Sequence, residues 1–148
     1  LASVRDYPGS VKAGSEVLLT VRVKDPSVRD SSDPRFTDPL PLGVTFNEYQ
    51  GSGAVAFTYH PDNIVDTSSE ELKEPVSLCQ GCTLQVNQAG PNIVSVPGPE
   101  GLARVYATFA EPGNYIIHAK VDNFAASDST QNNQCCWTNV YQKITVTP

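Results

Sequence analysis

The chain has no methionine, a single tryptophan, and no apolar run longer than a strand. The longest apolar stretches, such as "EVLLTVRV", fall far short of the roughly 18–20 residues that a membrane-spanning helix needs. Positive charge is scarce: ten Lys and Arg stand against sixteen Asp and Glu, for a formal net charge of −6. That balance argues against a basic face for nucleic acid and against docking on an anionic membrane. No metalloprotease helix motif and no G-x-S-x-G elbow occurs. "QGSGA" reads as a turn and not as a phosphate-binding loop. There is no N-x-Ser/Thr sequon, which fits a prokaryotic exported protein better than a eukaryotic one. The sequence begins at Leu1 with no leader pattern, and is read as a processed chain or an excised domain.

What the chain has in quantity is turn and strand chemistry. Twelve prolines and ten glycines accompany many Val, Thr, Ser and Asn, and helix formers do not recur at helical spacing. This is the profile of an all-β domain. At 148 residues, one domain over 1–148 is expected, long enough to bury a real core.

Period-two alternation marks the strands. Val17, Leu19, Val21 and Val23 share one face, with Thr20, Arg22 and Lys24 on the other. Residues 26–42 follow as a long loop, because Pro26, Pro34, Pro39 and Pro41 cannot serve a sheet ladder. "GVTFNEYQGSGAVAFTYHP" reads as a hairpin turning at residues 51–53, with Val55, Phe57 and Tyr59 on one face. Residues 61–101 read as an irregular insertion. Within it "SSEELKEP" carries the signals of a short helix, and "TLQV" and "NIVSV" are edge-strand candidates. Ala103, Val105, Ala107 and Phe109 alternate next, then Tyr115, Ile117, Ala119 and Val121 after an "EPGN" turn. Val140, Ile144 and Val146 point inward from the last strand, opposite Tyr141, Lys143 and Thr145.

"TFAEPGNYIIHAKVDN" resembles the E–F region of bacterial immunoglobulin-like domains, the polycystic-kidney-disease (PKD) type in particular. "PGSVKAGSEVLLTVRVKD" is similar to the A–B region of the same family. The resemblance covers about the first 25 and the last 50 residues. It implies an immunoglobulin-like β-sandwich in which Tyr115 locks the E–F corner by bonding back to the backbone. Two family features are missing: the strand with tryptophan and an "FGDG" turn, and any cysteine in strands B and F. Such domains act as spacers, adhesive modules or interaction modules on exported proteins, so the resemblance implies a setting and not an activity.

The four cysteines are Cys79 and Cys82 in "LCQGCTL" and the pair Cys135–Cys136 before Trp137. An even count in an exported β domain favours oxidation. Cross-pairing of the two doublets would staple the middle region to the last strand, with Trp137 covering the junction. A crosslink closing that roughly 57-residue loop would stabilise by about 4 kcal/mol. Pairing within each doublet would need a strained ring between adjacent cysteines. A closed zinc site of four thiolates and a redox Cys-x-x-Cys stand as further alternatives.

Asp62, Asn63 and Asp66 cluster in one loop, and Asp122, Asn123 and Asp128 in another. Oxygens of this kind suit calcium, and they equally suit turn chemistry. Tyr49, Tyr59, Tyr106, Tyr141 and Trp137 could form a carbohydrate-stacking strip, or could serve cross-strand packing. His60 and His118 read as sheet-face histidines. The expected role is a non-enzymatic structural or interaction module. It would be extracellular, cell-surface or periplasmic, without a cofactor, and bind proteins or further copies of itself. A filament subunit assembled by β-strand contacts, or an accessory module binding calcium or glycan, are the alternatives.

Overall fold

A computed structural model describes residues 1–5, 9–36, 41–62, 90–124 and 137–148. Nine strands occur among them: β1 Ala2–Arg5, β2 Ser10–Lys12, β3 Glu16–Lys24, β4 Leu42–Gln50, β5 Val55–Tyr59, β6 Ile93–Val96, β7 Glu100–Phe109, β8 Gly113–Asp122 and β9 Trp137–Thr147. A single 3₁₀ turn, Pro34–Phe36, lies in the proline-rich loop.

The strands form two sheets, ordered β1-β3-β7-β5 and β2-β9-β8-β4-β6. Within the pairs all ladders are antiparallel except β2 on β9. A four-stranded A-B-E-D sheet facing a sheet built on G-F-C is the immunoglobulin arrangement. The long alternating segments supply it directly: the inward residues of β3, β7 and β8 are the buried ones. Leu19, Val21, Phe46, Val105, Phe109, Tyr115, Ile117 and Ile144 are at most 2% exposed and form the centre of one core. Each such aliphatic or aromatic burial is worth about 1.5–3 kcal/mol.

One expectation needs correction. The β4–β5 segment is not a hairpin: β4 pairs with β8 and β6, whereas β5 pairs with β7 in the opposite sheet. The glycine-containing segment 51–53 crosses between the sheets. Gly51 passes so close to Tyr115 that a Cβ there would overlap its ring and the Glu48 carboxylate. The edge strand expected at "NIVSV", within 61–101, is present: Ile93–Val96 forms β6 on the outer edge of β4, and β7 begins at Glu100. The helix expected at "SSEELKEP" and the strand at "TLQV" lie outside the described residues. Two polar side chains are buried. Thr20, assigned outward, is 1% exposed, and Gln142 faces inward at 5% between Val140 and Ile144. Among the described residues, Thr20 Oγ1 and Gln142 Nε2 are buried without a hydrogen-bond partner.

The corner between β7 and β8 is built around Tyr115. Its hydroxyl donates to the Glu111 carbonyl at 2.7 Å, and its ring meets Phe109 edge-on at 4.8 Å. Gly113 closes the turn at φ 147°, a conformation that side chains rarely adopt, and a Cβ there would collide with Ser52. The crossing segment 51–53 and the corner are thus packed together, and this fixes where β4 ends beside β8.

Candidate functional site

The sequence nominates several sites, and the structure separates them. Cys79, Cys82, Cys135 and Cys136 lie outside the described residues, as do Asn63, Asp66 and Asp128. The other acidic-loop residues make bonds within the protein. Asp62 donates its backbone N–H to His60 Nδ1 at 3.0 Å. Asp122 lies 3.4 Å from Lys120 Nζ and accepts from the Phe124 N–H at 3.3 Å. Asn123 is buried and donates to Asp25 at 3.3 Å. Among the described residues no group of three His, Cys, Asp or Glu side chains could hold a metal ion.

Asp25 is the strongest local charge centre at this end of the sandwich. It follows β3, its side chain is only 8% exposed, and it accepts from the Ser27 backbone at 2.9 Å and from Arg29 at 3.0 Å. Burial pushes its pKa up, but hydrogen bonds from Ser27, Arg29 and Asn123 outweigh it and hold the carboxyl well below the usual range. Asn123 follows β8 and Asp25 follows β3, so their bond ties one sheet to the other.

The aromatic residues divide by face. On the outer side of the four-stranded sheet, His60 is 6% exposed and lies against Tyr106, ring centroids 4.9 Å apart. On the outer side of the five-stranded sheet the rings stand in solvent. Tyr49 is 65% exposed, Tyr141 52% and Trp137 54%. Tyr49, His118 and Tyr141 come from adjacent strands β4, β8 and β9. Centroids are 5.3 Å apart for Tyr49–Tyr141, 5.1 Å for His118–Tyr141 and 6.4 Å for Tyr49–His118.

Two local features place this cluster. His118 and Tyr141 are directly opposite in the β8–β9 ladder, which favours a cross-strand ring pair. Tyr49 is the extra residue of a bulge, since the β4–β8 register shifts between Glu48 and Gln50. Bulges re-aim side chains, and this one turns Tyr49 toward the other two rings. His118 Nε2 donates to Asn139 Oδ1 at 2.8 Å, which fixes the imidazole in place. Farther along the same face, Trp137 meets Phe124 edge-on at 6.2 Å, and Lys120 Nζ lies 5.1 Å from the Phe124 centroid. Sequence reasoning named Tyr49, Tyr141 and Trp137 together with Tyr59 and Tyr106. It did not link His118 to them, because only the strand order does.

One edge is also notable. Beside β9, β2 reaches only Thr145–Thr147. The Thr145 N–H donates to Gly9 and the Thr147 carbonyl accepts from Ala13, so odd-numbered residues of β9 aim their backbone groups at this edge. Among the described residues no strand pairs with residues 137–141 on that side.

No family model matches the chain, and no curated protein does. Solved structures with a similar arrangement include a conjugative transposon lipoprotein from Bacteroides eggerthii. It is 12% identical, with 97% of this chain and 93% of that one covered, at a TM-score of 0.46. The complex of zinc 2-glycoprotein with prolactin-inducible protein from human seminal plasma gives 10% identity, 99% and 94% coverage, and 0.48. A structure of the fibronectin-binding AAF fimbriae of enteroaggregative Escherichia coli gives 15%, 99% and 100%, and 0.41. At such identities and scores the fold assignment rests on this chain's own strand order.

Proposed function

We propose that this chain is a non-enzymatic interaction module of an exported, PKD-like kind, and that it works from the outer face of its five-stranded sheet. The observation that carries this reading is the solvent-exposed Tyr49–His118–Tyr141 cluster. Large aromatic rings left in water contribute nothing to the core, and they are the side chains that dominate contact energies when a partner covers them. The extracellular, cell-surface or periplasmic setting follows from the resemblance of "TFAEPGNYIIHAKVDN" to exported domains. The test is a panel of glycans and extracellular matrix proteins probed with the wild-type chain, a Tyr49→Ala/Tyr141→Ala double variant and a Leu102→Ala control on the opposite face. Binding lost only in the double variant supports the reading. Binding by none of the three, or equal binding by all three, sinks it.

A second reading is favoured by the β9 edge. Backbone groups at residues 137, 139 and 141 point outward along a stretch without charge or proline, which is what an added strand requires. In that reading the chain assembles into filaments through strand contacts. Light scattering after size exclusion, with negative-stain microscopy across a concentration series, decides it: a monomer at every concentration ends the filament reading.

A further inference from the structure

We propose that the face beside the aromatic cluster is a saccharide site for a β-linked, gluco-configured pyranose chain, an assignment that rests on reading this face as the contact surface. Next to the cluster lies a shallow depression of about 290 Å³, lined by Gln50, Asn114, Ile116, Lys143 and Thr145 over the buried Tyr115 and Ile144. The ladder makes cluster and depression continuous. Asn114 faces Thr145, Ile116 faces Lys143 and His118 faces Tyr141, in successive steps, while Gln50 faces Ile116.

A pyranose with equatorial hydroxyls has two kinds of surface, and this face has a match for each. The flat C–H face of the sugar is apolar and weakly electropositive, so it suits the negative π-face of Tyr141 or Tyr49. The rim of hydroxyls needs donors and acceptors side by side, and carboxamides carry both. Two asparagines are oriented for this. Asn114 Oδ1 accepts from the Thr145 hydroxyl at 3.2 Å, and Asn139 Oδ1 accepts from His118 at 2.8 Å. Each oxygen is thereby engaged within the protein, and each NH₂ remains as a donor on the surface. Gln50 adds a third amide.

The face is also long enough for a chain. Trp137 and Tyr141 are four residues apart on one strand face, a spacing of about 14 Å at the usual rise. Asn139 lies between them. An extended β-linked glucan or chitin-type chain running along β9 would meet ring, amide, ring and then the depression. A peptide partner is the poorer match: Ile116 is the only aliphatic side chain lining the depression outside the core, and the depression is open and does not enclose an anchor residue.

The test uses cellohexaose and chitohexaose, with their dimers, and mannohexaose as the probe with an axial hydroxyl. Titration calorimetry and amide NMR shifts are read on the intact chain. The expected result is binding of the gluco-configured hexamers more tightly than of their dimers or of mannohexaose, with shifts at Asn114, His118 and Tyr141. Tyr141→Ala should weaken binding about tenfold, the scale of one lost aromatic contact, and Leu102→Ala should leave it unchanged. No shift with any hexamer, or binding indifferent to Tyr141→Ala, overturns the assignment. If a matrix protein then binds in a way that Tyr49→Ala/Tyr141→Ala abolishes, the contact-surface reading survives its saccharide form. If nothing binds the face, both fall.

Discussion

The two outer faces of the sandwich use similar residues to different ends. On the four-stranded sheet, His60 is buried against Tyr106, Thr20 is covered, and Glu100 lies between Arg22 and Lys24. On the five-stranded sheet, Tyr49, Tyr141 and Trp137 remain more than half exposed. An aromatic side chain with its surface removed from water is explained by packing. Tyr49, turned by a bulge, and Tyr141, set against a histidine that is itself hydrogen-bonded to Asn139, are left in water and have no such explanation. This difference is the ground for proposing that recognition belongs to the second face.

Both faces hang on one core, so damage to that core should exceed damage to either face. Phe46 is 1% exposed in β4 and touches neither outer surface. Phe46→Ala is expected to cost about 3–5 kcal/mol, from lost burial and the cavity left behind. Chemical denaturation measures it. A loss no larger than that of a surface variant would show that the sandwich does not share one core.

The tie between the sheets comes next in size. Asp25→Ala removes a buried acceptor of charged and neutral hydrogen bonds and should cost about 2–3 kcal/mol at neutral pH. The sign with pH follows from the depressed pKa of Asp25. Its contribution is fully present above the unfolded value of 3.8 and is lost as pH falls from there toward the folded value. Wild type and variant should therefore converge in stability as pH drops below 3.8. A constant gap between pH 7 and pH 2 would contradict the assigned bonding.

A sharper contrast sets one ring against another. His60→Ala should destabilise by about 1–2 kcal/mol, because it empties a covered aromatic contact. Tyr141→Ala should stay within about 0.5 kcal/mol, as for an exposed side chain without structural duty. Equal losses would dissolve the distinction between the faces.

Much of the framework was legible because alternation is local. Val17 to Val23, Ala103 to Phe109 and Tyr115 to Val121 display their inward face in the sequence itself, and the "EPGNY" corner carries its own turn residues. The candidate site was not legible in the same way. Tyr49, His118 and Tyr141 are far apart in the chain, and they meet only because β4, β8 and β9 are neighbours and a bulge rotates Tyr49. The crossing at residues 51–53 misled for a related reason. A glycine turn between two alternating runs is the local signature of a hairpin, whereas the close packing of Gly51 on Tyr115, where the chain leaves for the other sheet, is a non-local contact. The outward His60 and Thr20 are buried although nothing in their own segments distinguishes them from solvent-facing residues.

The smallest effect expected is on the charges of the four-stranded face. Arg22 donates to Glu100 through both Nε, at 3.1 Å, and Nη2, and Lys24 Nζ lies 3.6 Å away. Hydrogen bonding and then charge from Arg22 lower the pKa of the Glu100 carboxyl. Because the group is exposed, solvent and salt screen that interaction, and such pairs contribute little to folding. Arg22→Ala should therefore leave the melting temperature unchanged within error. An NMR titration of Glu100 should nonetheless show its pKa moving back up toward 4.5. The two readouts distinguish a charge pair that merely decorates the surface from one that supports the sheet. A clear drop in melting temperature would mean that this face, too, depends on its outward side chains, and that its contrast with the aromatic face is one of degree.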